Sequence, residues 1–268
     1  GAGNPWGVSC SPGGRYLIVA HAGTGEVSLI DRFSLHMKLA DGAIASRVMS
    51  GSPNDPGILT DIRRRIRTPL EGVRYAVISD DSIFAAGYYS DALVQIPYGD
   101  WLMSTPMVAE TLRYAGQRQS REYFPYAISF DCELMRLGPE PQPDVRRRGE
   151  MLFHDATVCL QHWQSCASCH PEARSDGLNW DLMNDGVGNP KNTKSLLLAH
   201  RTPPSMATGV RASAEIAVRS GIEHILFSHL SADDVDAIDV YLQSLEPVPS
   251  PRLVGGKLSE SALRGERL

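Results

Sequence analysis

The chain has 268 residues, of which 42% are hydrophobic and 21% are charged. This length and composition predict a globular protein of about two domains. The formal net charge of −5 gives no indication of a nucleic-acid partner or an anionic membrane surface, and no apolar run reaches the length of about 18 residues that a membrane-spanning helix needs.

The first part of the chain predicts short antiparallel strands. Residues 5–10, 15–20 and 26–31 are rich in β-branched and other apolar side chains. The run Pro12-Gly13-Gly14 predicts a tight turn between the first two segments, and a second Gly-rich turn precedes the third.

A repeat of this pattern favours a β-propeller. Residues 15–30 align without gaps with residues 82–97, and a weaker third copy covers residues 124–130. Repeated small antiparallel sheets are typical of propeller blades, although the spacing between the copies exceeds the usual length of one blade. We therefore interpret residues 32–70 as an insertion between blades, with the basic cluster at 63–67 on a solvated loop or face.

Residues 5–31 resemble a blade of the bacterial surface-layer or lactonase-like β-propellers, whose blades carry a similar P-x-G-V-x-x-S-P-x-G-x-x-L-x-V-A run. The resemblance implies two to three blades within residues 1–137. Because a closed propeller needs about four or more blades, we expect the rest to precede residue 1 and the chain to be a fragment of a longer protein. A small β-sandwich is the alternative.

The second half contains the run Cys166-Ala167-Ser168-Cys169-His170, which is the attachment signature of a c-type haem. Two cysteines at this spacing lie on one side of a helical turn, where both thiols reach the two vinyl groups of one porphyrin. His170 then supplies the proximal ligand of the iron. We expect one covalent haem c, held by Cys166, Cys169 and His170.

Paired cysteines also occur in other kinds of site. A zinc site needs four ligands, usually in two pairs, and the sequence has no second Cys pair. A thioredoxin-like dithiol is typical of a βαβ pattern, which this sequence does not show. A structural domain with free thiols would carry no haem. An odd number of cysteines remains beside the motif, which implies no disulfide framework: Cys10, Cys132 and Cys159.

The haem motif lies in a segment that we bound at residues 138–246. The Pro-rich run at 138–143 predicts a stiff linker at its start. Asp144 is a good N-cap, and it predicts a helix over residues 145–154.

A second helix closes this segment. Ser231 and Asp234 have the spacing of an N-terminal cap, and Pro247 prevents the helix from continuing. In cytochrome c domains a glycine lets the first helix cross closely over the last one, and Gly149 stands at the corresponding position.

Two further motifs flank the haem signature. Residues 148–153 read R-G-E-M-L-F, and residues 191–196 read K-N-T-K-S-L. Over roughly residues 145–245 the chain resembles the bacterial di-haem cytochrome c peroxidase family and its methylamine-utilisation relative, which carry R-G-x-x-L-F before and K-N-T-P-S-L-x-N after the motif. Lys194 stands where the family has proline. The resemblance implies an all-α cytochrome c-like fold and a peroxidase-like parent enzyme.

The second axial ligand has three candidates. Met206 comes first because it follows a Pro-Pro turn, and Met183 and His200 come next. The family's distal His does not carry over, because no His lies in the loop before the K-N-T segment. Trp163 and Trp180 are candidates to pack on the porphyrin, and core packing is the alternative for both.

Residues 247–268 begin with a second stiff linker. The R-G-E-x-L run at 264–268 repeats the run at 148–152, which opens the haem segment. We therefore expect a second haem domain to begin here in the intact chain.

These patterns predict a multidomain β plus α protein, in which partial β-propeller blades precede an all-α cytochrome c-like domain. The expected function is c-type haem electron transfer within a di-haem peroxidase-like oxidoreductase, with a redox partner protein. The alternative is a propeller-based binding module in which the haem is only an electron relay. Covalent haem attachment implies maturation outside the cytoplasm, in a periplasm or a similar compartment.

Overall fold

The computed structural model describes residues 3–40, 56–59, 61–97, 127–129, 132–182 and 187–268. The first sheet has five strands in the order β1-β2-β3-β4-β8. These strands are β1 (Pro5–Cys10), β2 (Tyr16–His21), β3 (Glu26–Asp31), β4 (Arg63–Arg67) and β8 (Ala127–Ser129). The first four pair antiparallel in chain order, whereas β8 runs parallel to β4.

The second sheet has four antiparallel strands in the order β5-β6-β7-β9. They are β5 (Val73–Ile78), β6 (Ser82–Gly87), β7 (Ala92–Pro97) and β9 (Glu133–Arg136). Alternate apolar side chains of both sheets share one core, which includes Ile18, Leu29, Ile83 and Val94. A hydrogen bond of 2.6 Å from Ser9 Oγ to the Ala76 carbonyl also joins β1 to β5.

Six helices and a small third sheet complete the described part of the chain. The helices are α1 (Arg32–Ala40), α2 (Val145–His154), α3 (Cys166–Cys169), α4 (Ala214–His224), α5 (Ala232–Gln243) and α6 (Glu260–Glu266). The third sheet pairs β10 (Asn179–Trp180) with β11 (Lys191–Asn192). Single 3-10 turns lie at Pro56–Leu59, Ala156–Val158, Leu160–His162, Pro171–Ala173 and Ala199–Arg201. None of the described helices is long and apolar enough to cross a membrane.

The predicted crossing of α2 and α5 is confirmed. Asp144 caps α2 by accepting from the Arg147 N–H, and Ser231 caps α5 by accepting from the Asp234 N–H. A Cβ atom at Gly149 would lie 1.9 Å from the carbonyl oxygen of Ala237, so only glycine permits this approach of the two helices.

The predicted fold class is wrong. The strands at residues 82–87 and 92–97 do form, but they belong to one of two small sheets that pack on a shared core, and the described residues form no closed propeller. The segment after residue 138 is not all-α either, because β10, β11 and several 3-10 turns lie between its helices. The sequence pattern predicts antiparallel pairing between neighbouring strands. Many small sheets have such pairing, so the pattern does not specify how the sheets assemble.

The two main copies of the repeat form equivalent antiparallel hairpins, β2–β3 and β6–β7. Two other details of the predicted blades differ from the structure. The described part of the third copy is the short strand β8, which pairs parallel to β4. The supposed insertion supplies α1 and β4, and β4 is an integral strand of the first sheet. The predicted boundaries at residues 1–137, 138–246 and 247–268 stay predictions.

The basic cluster at residues 63–67 was also misjudged. It forms β4, in which Arg64 and Arg65 are buried instead of solvated. Arg65 forms an ion pair with Glu26, whose side chain is fully buried on the neighbouring strand β3. Buried charges are tolerated when they are paired with an opposite charge. The sequence around Arg65 gives no sign of its partner Glu26, which lies 39 residues away.

Candidate functional site

A cavity of about 360 Å³ lies between α3, α4, α5 and the segment that links β11 to α4. Aliphatic side chains of α4 and α5 line much of its wall, among them Val218, Ile222, Ile238 and Leu242. Its size is in the range of small-molecule and cofactor pockets, which are mostly apolar with a few polar groups.

The structure brings most of the predicted site residues to this cavity. Cys166, Cys169, His170, His200 and Met206 all line it, and so does Trp180. Trp163 is 51% exposed and is not among the residues that line it. Met183 lies outside the described residues.

The two cysteines begin and end α3, which is a single helical turn. Ser165 is its N-cap, and the Ser165 N–H donates to Ser168 Oγ at 2.9 Å, as in the capping boxes that open many helices. At the other end the His170 N–H donates to the Cys166 carbonyl at 2.9 Å. This turn places both thiols and the imidazole at one cavity wall.

His170 is held in a defined orientation. Its Nδ1 lies 2.9 Å from the Lys194 carbonyl and 3.2 Å from the Arg174 carbonyl. Because both partners are acceptors, Nδ1 carries the proton, and Nε2 keeps the lone pair that a metal ion requires. Burial lowers the pKa of His170, and the two hydrogen bonds offset this only in part, so the ring is neutral at pH 7.

The thiols have the opposite character from those of a dithiol redox site. Burial raises the pKa of Cys166 to about 12 and that of Cys169 to about 11. Reactive Cys-x-x-Cys pairs have a lowered thiol pKa instead, because the thiolate is the nucleophile. Among the described residues, no group of three or more His, Cys, Asp or Glu side chains converges as a metal-ion site.

Asp176 ties the end of the motif to β10. Its N–H donates to the Cys169 carbonyl at 3.1 Å, and its carboxylate accepts from the Trp180 indole at 2.8 Å and from the Leu178 N–H at 2.9 Å. Burial opposes ionisation of Asp176, but the hydrogen bonds that its carboxylate accepts together outweigh this and lower its pKa. The Trp180 ring is thereby fixed against the cavity.

The two described candidates for the second axial position differ in their surroundings. His200 Nε2 donates to Asp239 Oδ1 at 3.0 Å, and the other oxygen of Asp239 accepts from Arg219 at 2.8 Å. The side chain of His200 is only 6% exposed, so it is a buried wall residue whose Nε2 is already engaged. Met206 is half-buried on the loop before α4, with its backbone at φ 71° and its carbonyl accepting from the Gly209 N–H at 3.2 Å.

Sequence reasoning missed the groups that hold these residues in place. The carbonyls of Arg174 and Lys194 carry no side-chain signal. Asp239 lies 39 residues from its partner His200, and Asn4, whose side chain bonds to Ser165 and Ser168, lies more than 160 residues from them. Only the spacing of Ser165 and Ser168 could have been recognised as a helix cap.

Comparisons with known proteins add one relationship. About half of the chain is similar to a hydrazine synthase subunit. The chain is 31% identical over 138 residues to the hydrazine synthase subunit gamma of Kuenenia stuttgartiensis. The aligned segment covers 47% of this chain and 39% of that protein. The chain thus spans well under two thirds of this relative, and no family model matches it.

A solved structure gives a related match. It is Kuenenia stuttgartiensis hydrazine synthase pressurised with 20 bar xenon, with 32% identity, a TM-score of 0.41, and coverage of 49% of this chain and 46% of that chain.

Proposed function

We propose that this chain is a c-type haem protein that transfers electrons within an oxidoreductase complex. The observation that carries the proposal is the arrangement around one cavity. Cys166, Cys169 and a neutral His170 with an available Nε2 all line it, and its remaining walls are largely aliphatic. These residues fit the donor set and the apolar surroundings that a c-type haem requires.

Each residue has a defined part in holding the group. The thiols of Cys166 and Cys169 would hold the haem through its two vinyl groups. His170 Nε2 would ligate the iron, and the Lys194 and Arg174 carbonyls fix the ring of His170. Met206 would supply the second ligand. When bound, the haem supplies one-electron redox chemistry, whose potential the axial ligands and burial set.

The partner and the compartment follow from the same proposal. The similar protein is, by its name, one subunit of hydrazine synthase, which favours a multisubunit assembly for this chain as well. Within it we infer a redox partner protein and a compartment outside the cytoplasm, such as a periplasm. The second R-G-E run lies on α6, which supports a second haem-binding segment in the intact protein.

A peroxidase-like enzyme is the second candidate. The two motifs shared with the di-haem peroxidase family both reach the cavity, through Phe153 and through residues 191–196. The second axial position distinguishes the candidates, since an exchangeable site favours peroxide chemistry and a firm Met ligand favours electron transfer.

The test is to express the chain in a periplasm with haem-maturation machinery. We expect the denatured chain to carry the mass of one haem and to show the reduced spectrum of a c-type haem. In the native protein we expect carbon monoxide to bind poorly, and Met206→Leu to bind it readily. A chain without added mass, with free thiols, would refute the proposal. Ready binding of carbon monoxide to the parent protein would favour the peroxidase-like candidate.

A further inference from the structure

Asn4, which lies beside the first sheet, makes direct contact with α3, the helix that carries the haem motif. Asn4 precedes β1, and its carbonyl accepts from the Ala22 N–H at 2.9 Å, which ties it to the first sheet. Its side-chain Nδ2 donates to the His154 carbonyl at 2.8 Å and to Ser165 Oγ at 2.6 Å. Its Oδ1 accepts from Ser168 Oγ at 2.5 Å. One amide therefore joins the end of α2, the start of α3 and the first sheet.

The close approach at this junction depends on two glycines. A Cβ atom on Gly3 would lie 2.4 Å from the Cβ of Ala156, and one on Gly23 would lie 2.9 Å from the same atom. The Ala156 N–H donates to the Gly23 carbonyl at 2.7 Å. The backbones of the sheet region and of the segment after α2 thus meet without side chains between them.

The contact matters because α3 has no stability of its own. A helix of one turn is far below the length at which helices persist alone in water, so neighbouring contacts decide its orientation. Ser165 and Ser168 are its N-cap and third residue, and Asn4 bonds to both hydroxyls. The same helix carries Cys166 and Cys169, and His170 follows it immediately.

We propose that Asn4 is a positioning residue of the haem site: from the sheet region it fixes α3, and through α3 the two thiols and His170. The haem site then includes the first sheet as a structural part. This inference rests on the proposed function, because it gives Asn4 a role towards the bound haem.

The experiment compares Asn4→Ala with Ser9→Ala in the full chain. Ser9→Ala is the matched control, because it also removes a side-chain hydrogen bond made from the β1 side of the sheet, yet it does not touch α3. In haem-loaded protein we expect Asn4→Ala to shift the reduction potential and the control to keep the parent value. In protein expressed without haem, iodoacetamide should modify Cys166 and Cys169 at least about fivefold faster in Asn4→Ala, because about fivefold corresponds to the loss of one hydrogen bond and this variant loses three.

A second variant keeps the test decisive if Asn4→Ala folds poorly. Asn4→Asp preserves the size and the acceptor for Ser168 but removes the amide donor to the His154 carbonyl and to Ser165 Oγ, so we expect a smaller increase in the alkylation rate than in Asn4→Ala. If both Asn4 variants match Ser9→Ala in potential and in alkylation rate, the inference is overturned and the haem proposal stands. If the parent chain binds no haem, the haem proposal fails, and the alkylation rates alone decide whether Asn4 holds α3.

Discussion

The sheet region (the described residues of 3–137) and the haem-motif region (the described residues of 138–268) differ in how their backbones are held. Left-handed backbone outside glycine is tolerated best by Asn and Asp. Among the described residues of the sheet region, the non-glycine residues with positive φ are of these types: Asn4, Asp61 and Asp91. In the described part of the haem-motif region, no non-glycine residue with positive φ is an Asn or Asp. These residues are Gln161, His162, Glu172, Ala173, Leu198, Met206 and Phe227. Strained backbone of this kind persists only where surrounding contacts enforce it.

The two regions therefore play different parts. The central strand pairs β2–β3 and β6–β7 have a regular register, and the sheets share an aliphatic core, so local preference and tertiary structure agree there. The haem-motif region places residues in backbone conformations that their types disfavour. It is held by side-chain to backbone hydrogen bonds, such as those of His170 and Asp176. Such departures are expected at functional sites. The sheets supply a regular support, and the irregular region presents the groups that we propose to bind haem.

The largest expected effect separates haem binding from folding. Replacing both Cys166 and Cys169 by Ala should abolish covalent haem, because no thiol remains at the cavity wall, while the β-sheet signal in circular dichroism stays unchanged. Intact mass of the denatured protein measures the loss. Cys10→Ser, at an exposed cysteine in β1, is the control and should retain the full haem mass. Haem attachment in the double variant would contradict the assignment.

The next effect concerns the sheet region alone. Glu26→Gln should lower the free energy of unfolding by about 3 kcal/mol, because it leaves the Arg65 charge buried without its counterion. Urea denaturation measures the loss. Arg15→Gln removes one member of an ion pair in which Arg15 is 61% exposed, and should cost less than about 1 kcal/mol. Equal costs for the two variants would show that the buried pair contributes no more than the exposed one.

A third prediction uses the two copies of the R-G-E run. Gly149→Ala should destabilise the protein by about 2 kcal/mol, since its new methyl group would meet the Ala237 carbonyl and force α2 and α5 apart. Gly265→Ala is the same change in the second copy, where the added methyl group would meet no atom of another element within 4 Å. It should be neutral or slightly stabilising, because Ala favours helix. A similar loss in both variants would argue against the close crossing.

The smallest effect is a pH dependence at the boundary of the two regions. Burial, with a contribution from Arg74, lowers the pKa of His154 in the folded protein. The unfolded chain then binds a proton that the folded chain does not, so stability should fall as the pH drops below about 6.5 towards the lowered pKa. His154→Phe keeps a ring but cannot titrate, and should reduce this slope without removing it, because burial also lowers the pKa values of His162 and His170. An unchanged slope would contradict the prediction.

The sequence predicted the elements whose causes are local. The caps Asp144 and Ser231 and the crossing glycine Gly149 are recognisable within one helix turn, and short apolar runs bounded by turn residues define β2 and β3. The haem motif is equally local. By contrast, the burial of Arg65 depends on Glu26, and the orientation of α3 depends on Asn4, more than 160 residues away. Long-range pairing of this kind leaves no periodic trace, which is why the sheet assembly was predicted wrongly.

One measurement tests the central claim most directly, namely that the residue 166–170 motif carries a covalent haem at this cavity. The haem-loaded chain is denatured, treated with iodoacetamide, digested, and its peptides are identified by mass spectrometry. We predict that the peptide containing Cys166, Cys169 and His170 carries one haem and no alkyl group, whereas the peptides of Cys10 and Cys132 are alkylated. Alkylation of both Cys166 and Cys169 in a haem-free peptide would contradict the account.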